Sequence, residues 1–152
     1  TTPTWFSLIN EQGEETALVH EMRRLWGDST STINNSPYIA YLKLDDKFAY
    51  DQVYLLPEKT FEGVAFAFDP EQDSLDVRWE VLPEAETQDG NADKQLKPKP
   101  VEGALVRQEA TKVWLRTPSL EGAYRLYVYI RDGNNNLATA NIPFFVTKKP
   151  LK

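Results

Sequence analysis

From Tyr38 onward, apolar and polar side chains alternate with a period of two almost to the end of the chain. Successive side chains of a strand point to opposite faces, so this alternation predicts half-buried strands. The pattern places them at 38–44, 50–56, 61–68, 75–82, 104–107, 111–117, 122–131 and 137–146. In the fourth, Leu75, Val77, Trp79 and Val81 share one face and Asp76, Arg78 and Glu80 the other, as in a sheet with one wet side. In the seventh, Tyr124, Leu126, Val128 and Ile130 are expected in the core, with Arg125, Tyr127, Tyr129 and Arg131 opposite. Short strands separated by turn signals predict an all-β fold, an antiparallel sandwich.

The chain before Tyr38 has a different period. Residues 4–9, T-W-F-S-L-I, are β-prone and end at N-E-Q-G. Leu18, Val19, Met22, Leu25 and Trp26 then form one apolar stripe of a helix, with Glu14 and Glu15 at its start and Arg23 and Arg24 near its end. Gly27 is a natural stop. The stripe is expected to pack against the sandwich. Residues 28–37, rich in Ser, Thr and Asn, are expected to be a linker between a strand-helix segment at 1–27 and the sandwich at 38–148. The polar stretch 83–103 is a loop of unusual length.

The net charge is −6, with the acids dispersed, so the chain lacks the basic face of a nucleic-acid binder. No apolar run reaches the length of a membrane helix. The absence of cysteine excludes disulfides and thiolate chemistry. Thr1 as first residue and Met22 as the only methionine lead to the expectation of a piece cut from a longer polypeptide.

Two stretches carry a resemblance. L-P-E-K-T-F-E-G-V-A-F-A-F-D-P-E-Q-D-S-L-D-V-R-W-E-V, followed by G-A-Y-R-L-Y-V-Y-I-R-D-G-N-N-N-L-A-T-A-N-I-P-F-F-V, resembles immunoglobulin-like sandwiches of the PKD and cadherin-like type. T-P-T-W-F-S-L-I-N-E-Q-G-E-E-T-A-L-V-H-E-M-R-R-L-W looks like the last strand and helix of a bacterial TIM-barrel glycoside hydrolase. Together they imply an immunoglobulin-like β-sandwich preceded by a short strand and one α-helix. The implied function is a non-catalytic accessory module of a secreted, periplasmic or cell-surface enzyme, partnered by the upstream catalytic domain of the same chain. A carbohydrate-binding module and a calcium-stiffened adhesion or dimerisation module are the alternatives. By the same resemblance, Trp5 matches the tryptophan that floors a sugar subsite in such barrels.

Four constellations bear on chemistry. Asp69, Glu71 and Asp73 alternate in a tight turn, and Asp132 with Asn134 belongs to a second turn. Hard oxygens so grouped suit Ca²⁺, although Gln72 stands where the related D-P-D-G-D turn has glycine. The plainer reading is an Asx turn at Asp69 before Pro70. Arg125, Tyr127 and Tyr129 side by side suit a polysaccharide or a neighbouring domain, with Trp114 on a second aromatic strand. Asp76, Glu80 and Glu84 are numerous enough for glycosidase carboxylates, but Asp76, Arg78 and Glu80 alternate on an exposed strand face. His20 is followed by E-M-R-R, so it forms no zinc motif, and no G-x-S-x-G is present.

Overall fold

A computed structural model describes residues 4–5 by their backbone, and residues 8–27, 34–84 and 98–149 in full. A two-residue hairpin, β1 (Thr4–Trp5) with β2 (Ile9–Asn10), leads into α1 (Ala17–Leu25). Eight strands follow: β3 (Tyr38–Leu44), β4 (Val53–Leu55), β5 (Thr60–Phe68), β6 (Asp76–Pro83), β7 (Leu105–Glu109), β8 (Lys112–Arg116), β9 (Gly122–Arg131) and β10 (Leu137–Val146). They form two four-stranded sheets, ordered β3-β5-β8-β7 and β4-β10-β9-β6. All pairings are antiparallel except β4 with β10, which run parallel. The all-β sandwich expected from the period of two is therefore present.

The core lies between the sheets, where inward-facing residues of the strands meet; β7 adds only the half-buried Leu105. Val113, Leu115, Leu126, Val128, Ile130, Ile142 and Val146 are wholly buried there. Trp79 enters from β6, and its indole N–H donates to the Ala110 carbonyl at 3.1 Å. Tyr124 begins the inward set of β9, stacks on Phe144 at 5.7 Å, and donates its hydroxyl to the Leu120 carbonyl at 3.0 Å. Thr117 closes the β8–β9 connection by donating to the Leu56 carbonyl at 2.6 Å. Gly63 in β5 faces Val113 and Leu126 so closely that no side chain fits between them.

Besides the parallel β4–β10 pair and a β7 that runs on to Glu109, the strands depart from expectation before β4. Residues 49–51 form a 3-10 turn rather than the start of a strand, because Asp51 accepts from the Phe48 amide at 2.7 Å and Gln52 turns left-handed at φ 53°. That leaves β4 three residues long. In the long polar stretch, the described end at 98–104 is tied down: the Val101 amide donates to the Val81 carbonyl at 2.9 Å, and Ala104 is buried.

Candidate functional site

The β5–β6 and β9–β10 turns lie at the same end of the sandwich, and each is built on an aspartate. Asp69 Oδ1 accepts from the amides of Glu71 at 3.0 Å and Asp73 at 2.9 Å. Asp132 Oδ1 likewise accepts from the amides of Asn134 at 2.7 Å and Asn136 at 3.3 Å. The Asx turn expected at Asp69 is thus present, and Gln72 adopts φ 67° at the position where a glycine is absent. These turns bring one carboxylate oxygen from each of Asp69, Asp73 and Asp132 within 4.8 Å of the others. Asp69 and Asp132 are buried. Asp69 Oδ2 has no hydrogen-bond partner.

Glu71 does not join this cluster. The left-handed Gln72 breaks the simple alternation, and the Glu71 carboxylate accepts instead from the side-chain amide of Asn35 at 2.6 Å and its backbone amide at 3.2 Å. Amide side chains surround the cluster itself. Asn34 and Asn134 donate to Asp73 at 2.6 and 2.8 Å, and Asn136 donates to Asp132 at 2.7 Å. The described part of the expected linker, residues 34–37, is therefore bonded to the sandwich. Ser36 and Pro37 are buried.

Helix α1 is held at this same end, and by its polar side. Its only buried residue is His20, whose Nε2 lies 2.9 Å from Asn136 Oδ1; His20 Nδ1 is buried without a partner. The Glu15 amide donates to the Asn135 carbonyl at 2.9 Å, and the Leu137 amide donates to the Glu15 carbonyl at 2.7 Å. Arg131 Nε donates to Glu14 at 2.6 Å within a largely buried pair. That hydrogen bond, strengthened by the guanidinium charge and by Asn10, holds the Glu14 carboxyl below its ordinary range against the opposing effect of burial. Most of the apolar stripe is turned away from the sandwich: Leu18, Leu25 and Trp26 are 46, 80 and 78% exposed, while Val19 and Met22 are half-buried. The expectation that the stripe packs on the sheet is corrected for Leu18, Leu25 and Trp26, because the buried contact of the helix is the polar one made by His20.

The outer face of β9 carries Arg125, Tyr127, Tyr129 and Arg131, as the alternation predicts. Tyr127 is only 5% exposed and stacks on Tyr129 at 6.2 Å. Tyr129 donates to Glu80 at 2.9 Å, and burial together with that bond raises its hydroxyl far above the ordinary tyrosine range. Arg125 donates to Glu84 at 2.6 Å and to Asn141 at 2.8 Å. Of the three carboxylates weighed for hydrolysis, Asp76 pairs with Arg78, Glu80 accepts from Tyr129 and Glu84 accepts from Arg125. A cleft of about 380 Å³ beside them is lined by Asn10, Glu80, Tyr129, Arg131, Trp79 and Val101 among others. The Trp5 side chain lies outside the described residues.

One aromatic surface was not anticipated from the sequence. The outer face of β3 and β5 exposes Tyr38, Tyr41, Phe66 and Phe68, and Tyr50 extends it. Tyr41 stacks on Phe66 at 5.6 Å, Phe48 stacks on Tyr50 at 5.2 Å, and the Lys43 ammonium sits 4.8 Å from the Phe48 ring centre. On the same sheet Arg107 lies 4.8 Å over Trp114. The signal was present in the shared parity of Phe66 and Phe68, but both faces of that strand read as apolar. A bulge between Ile39 and Tyr41 also shifts the parity of β3.

No protein-family model matches the chain, and no curated protein shows significant similarity to it.

Proposed function

We propose that this chain is a non-catalytic accessory module that fixes the position of a preceding domain, in a secreted bacterial glycoside hydrolase. The observation that carries the reading is the orientation of α1. The helix is bonded to the sandwich through His20, and the residues just before it through Glu14 and Glu15, while Leu18, Leu25 and Trp26 face outward. Exposed apolar side chains grouped on one helix face favour burial against a partner. A helix bonded on one side and apolar on the other is suited to be shared between two bodies, which makes their junction stiff. The resemblance of residues 1–27 to the end of a catalytic barrel supplies the identity of the second body.

Within this reading the sandwich is immunoglobulin-like. The order β3-β5-β8-β7 follows the A-B-E-D arrangement and β6-β9-β10 follows C-F-G. Support also comes from the buried Trp79 on the third strand of that scheme and from Tyr124, whose hydroxyl bonds back to Leu120 as in a tyrosine corner.

The test compares amide exchange of residues 17–26 in this chain and in the protein extended by its preceding domain. Shared packing predicts slower exchange and buried Trp26 fluorescence in the longer protein, both lost in Leu25→Ser/Trp26→Ser. Identical exchange and fluorescence in the two would refute the junction, and glycoside hydrolysis by this chain alone would refute the non-catalytic assignment. A carbohydrate-binding module remains the second reading, favoured by the exposed rings of Tyr38, Tyr41, Phe66 and Phe68. Retardation in polysaccharide gels that disappears in Tyr41→Ala/Phe66→Ala would establish it.

A further inference from the structure

We propose that Asp69, Asp73 and Asp132 bind one Ca²⁺ ion, and that the ion locks helix α1 and residues 34–36 onto the end of the sandwich. Three carboxylate oxygens within 4.8 Å of one another can share one such ion, because calcium–oxygen distances of about 2.3–2.6 Å place opposite ligands roughly 4.6–5.2 Å apart. Proximity of acids alone would not select a ligand. The selecting observation is Asp69, which is 93% buried by its 7% exposure and leaves Oδ2 with no hydrogen-bond donor. Its Oδ1 is already committed to two backbone amides, so Oδ2 is the oxygen left for a ligand. A buried anionic oxygen without a donor is costly, and a cation is the partner that removes the cost. Among the described residues, no lysine or arginine forms an ion pair with any of the three aspartates.

The donor set identifies the kind of ion. All three donors are carboxylate oxygens, with no sulfur or imidazole among them, which selects a hard cation. They come from two irregular turns, whose carbonyls and adjacent water can complete about six to eight ligands in loose geometry. Calcium tolerates this and magnesium does not. The surrounding amides orient the ligands: Asn34 and Asn134 on Asp73, Asn136 on Asp132.

Those same amides connect the ion to the junction. Asn136 reaches His20 of α1 with Oδ1 and Asn34 with its amide, at 2.9 and 2.7 Å. Asn34 belongs to the segment leading out of the helix. Holding Asp132 and Asp73 on one ion therefore fixes both attachments of the N-terminal segment at once. This mechanism is independent of what the preceding domain is.

Titration of chelator-treated protein with CaCl₂ and with MgCl₂ by calorimetry tests the site, with thermal unfolding in the same buffers. One Ca²⁺ per chain is expected, with a dissociation constant of roughly 10⁻⁴–10⁻³ M as in extracellular modules, and with magnesium at least tenfold weaker. Saturating calcium should raise the melting temperature by about 5–10 °C. Asp69→Asn keeps an acceptor for the turn amides, and Asp73→Asn alters a half-exposed side chain; each should weaken calcium at least tenfold in folded protein. Glu71→Gln should leave the affinity within twofold. No heat of binding with an unchanged melting temperature overturns the site. Equal affinity for magnesium overturns the calcium assignment. A loss of binding in Glu71→Gln but not in Asp73→Asn overturns the ligand set.

Discussion

Replacing Gly63 by alanine tests the packing that sets the distance between the two sheets. A Cβ at this position would lie 2.8 Å from Leu126 Cδ2 and 2.8 Å from Val113 Cγ1, where ordinary contact begins near 3.4 Å. Each neighbour must therefore retreat by about 0.6 Å, taken as 3.4 minus 2.8. Val113 sits on the adjacent strand and Leu126 on the opposite sheet, and both are wholly buried, so neither has free space to enter. Overpacking of this kind costs about 1–3 kcal/mol. Alanine recovers roughly 0.5–1 kcal/mol through its smaller backbone entropy loss in a strand. The net expectation is a destabilisation of about 1 kcal/mol, with about 2.5 kcal/mol as its upper end, and a loss of about 2–4 °C in melting temperature per kcal/mol for a chain of this size. Calorimetric unfolding measures it, and urea titration should show a lower midpoint at an unchanged slope. Val113→Ala in the same background should cost less than it does alone, because it removes one of the two clashes. A Gly63→Ala protein that melts at or above the parent temperature would falsify the packing argument.

Two other predictions concern the end of the sandwich where the helix is attached. Glu14 is depressed by its bond from Arg131, so it contributes stability that is present above its unfolded pKa and lost as pH falls through its lower folded value. Protection factors of the amides of residues 14–20, corrected for the intrinsic slowing of exchange at low pH, should fall on acidification below the ordinary glutamate range. Glu14→Gln should show the lower protection already at neutral pH, at a cost of about 1–3 kcal/mol; an acid response unchanged by Glu14→Gln would refute the role. Gln72 holds φ 67° without the freedom of glycine. Gln72→Gly should therefore raise stability by up to about 1 kcal/mol, offset in part by a more flexible unfolded chain, and a lowered urea midpoint would contradict this.

The parts legible in the sequence were those governed by one local period. Strand β9 alternates without interruption, so Leu126, Val128 and Ile130 could be assigned to the core and Tyr127 and Tyr129 to the other face. Strand β5 was located but its faces were not separated, because Phe61 and Phe66 lie on opposite sides and both are aromatic. The small residues Gly63, Ala65 and Ala67 marked the inner side there, where larger partners from the facing sheet take the volume. The acidic turn was recognised, yet Asp69, Glu71 and Asp73 look equivalent in a linear reading. Only the left-handed Gln72 shows that Glu71 leaves the group. The docking of α1 was least accessible. Its apolar stripe announced a buried face, whereas the buried contact is a hydrogen bond from His20 to Asn136, 116 residues away. No periodicity encodes a partner at that separation.

The attachment of the helix also determines how the module bears load. Glu15 is bonded to Leu137, the first residue of β10, and the described chain leaves the sheet after Val146, the last residue of the same strand. Tension applied between the helix and the C-terminal end is directed along the axis of β10. That strand is paired with β9 over its whole length and with β4 at its far end. Its hydrogen bonds are then strained in shear and resist together, instead of opening one after another as in a peeled edge. An attachment that looks like simple docking thus makes β10 the tension member between the helix and the C-terminal end of the sandwich.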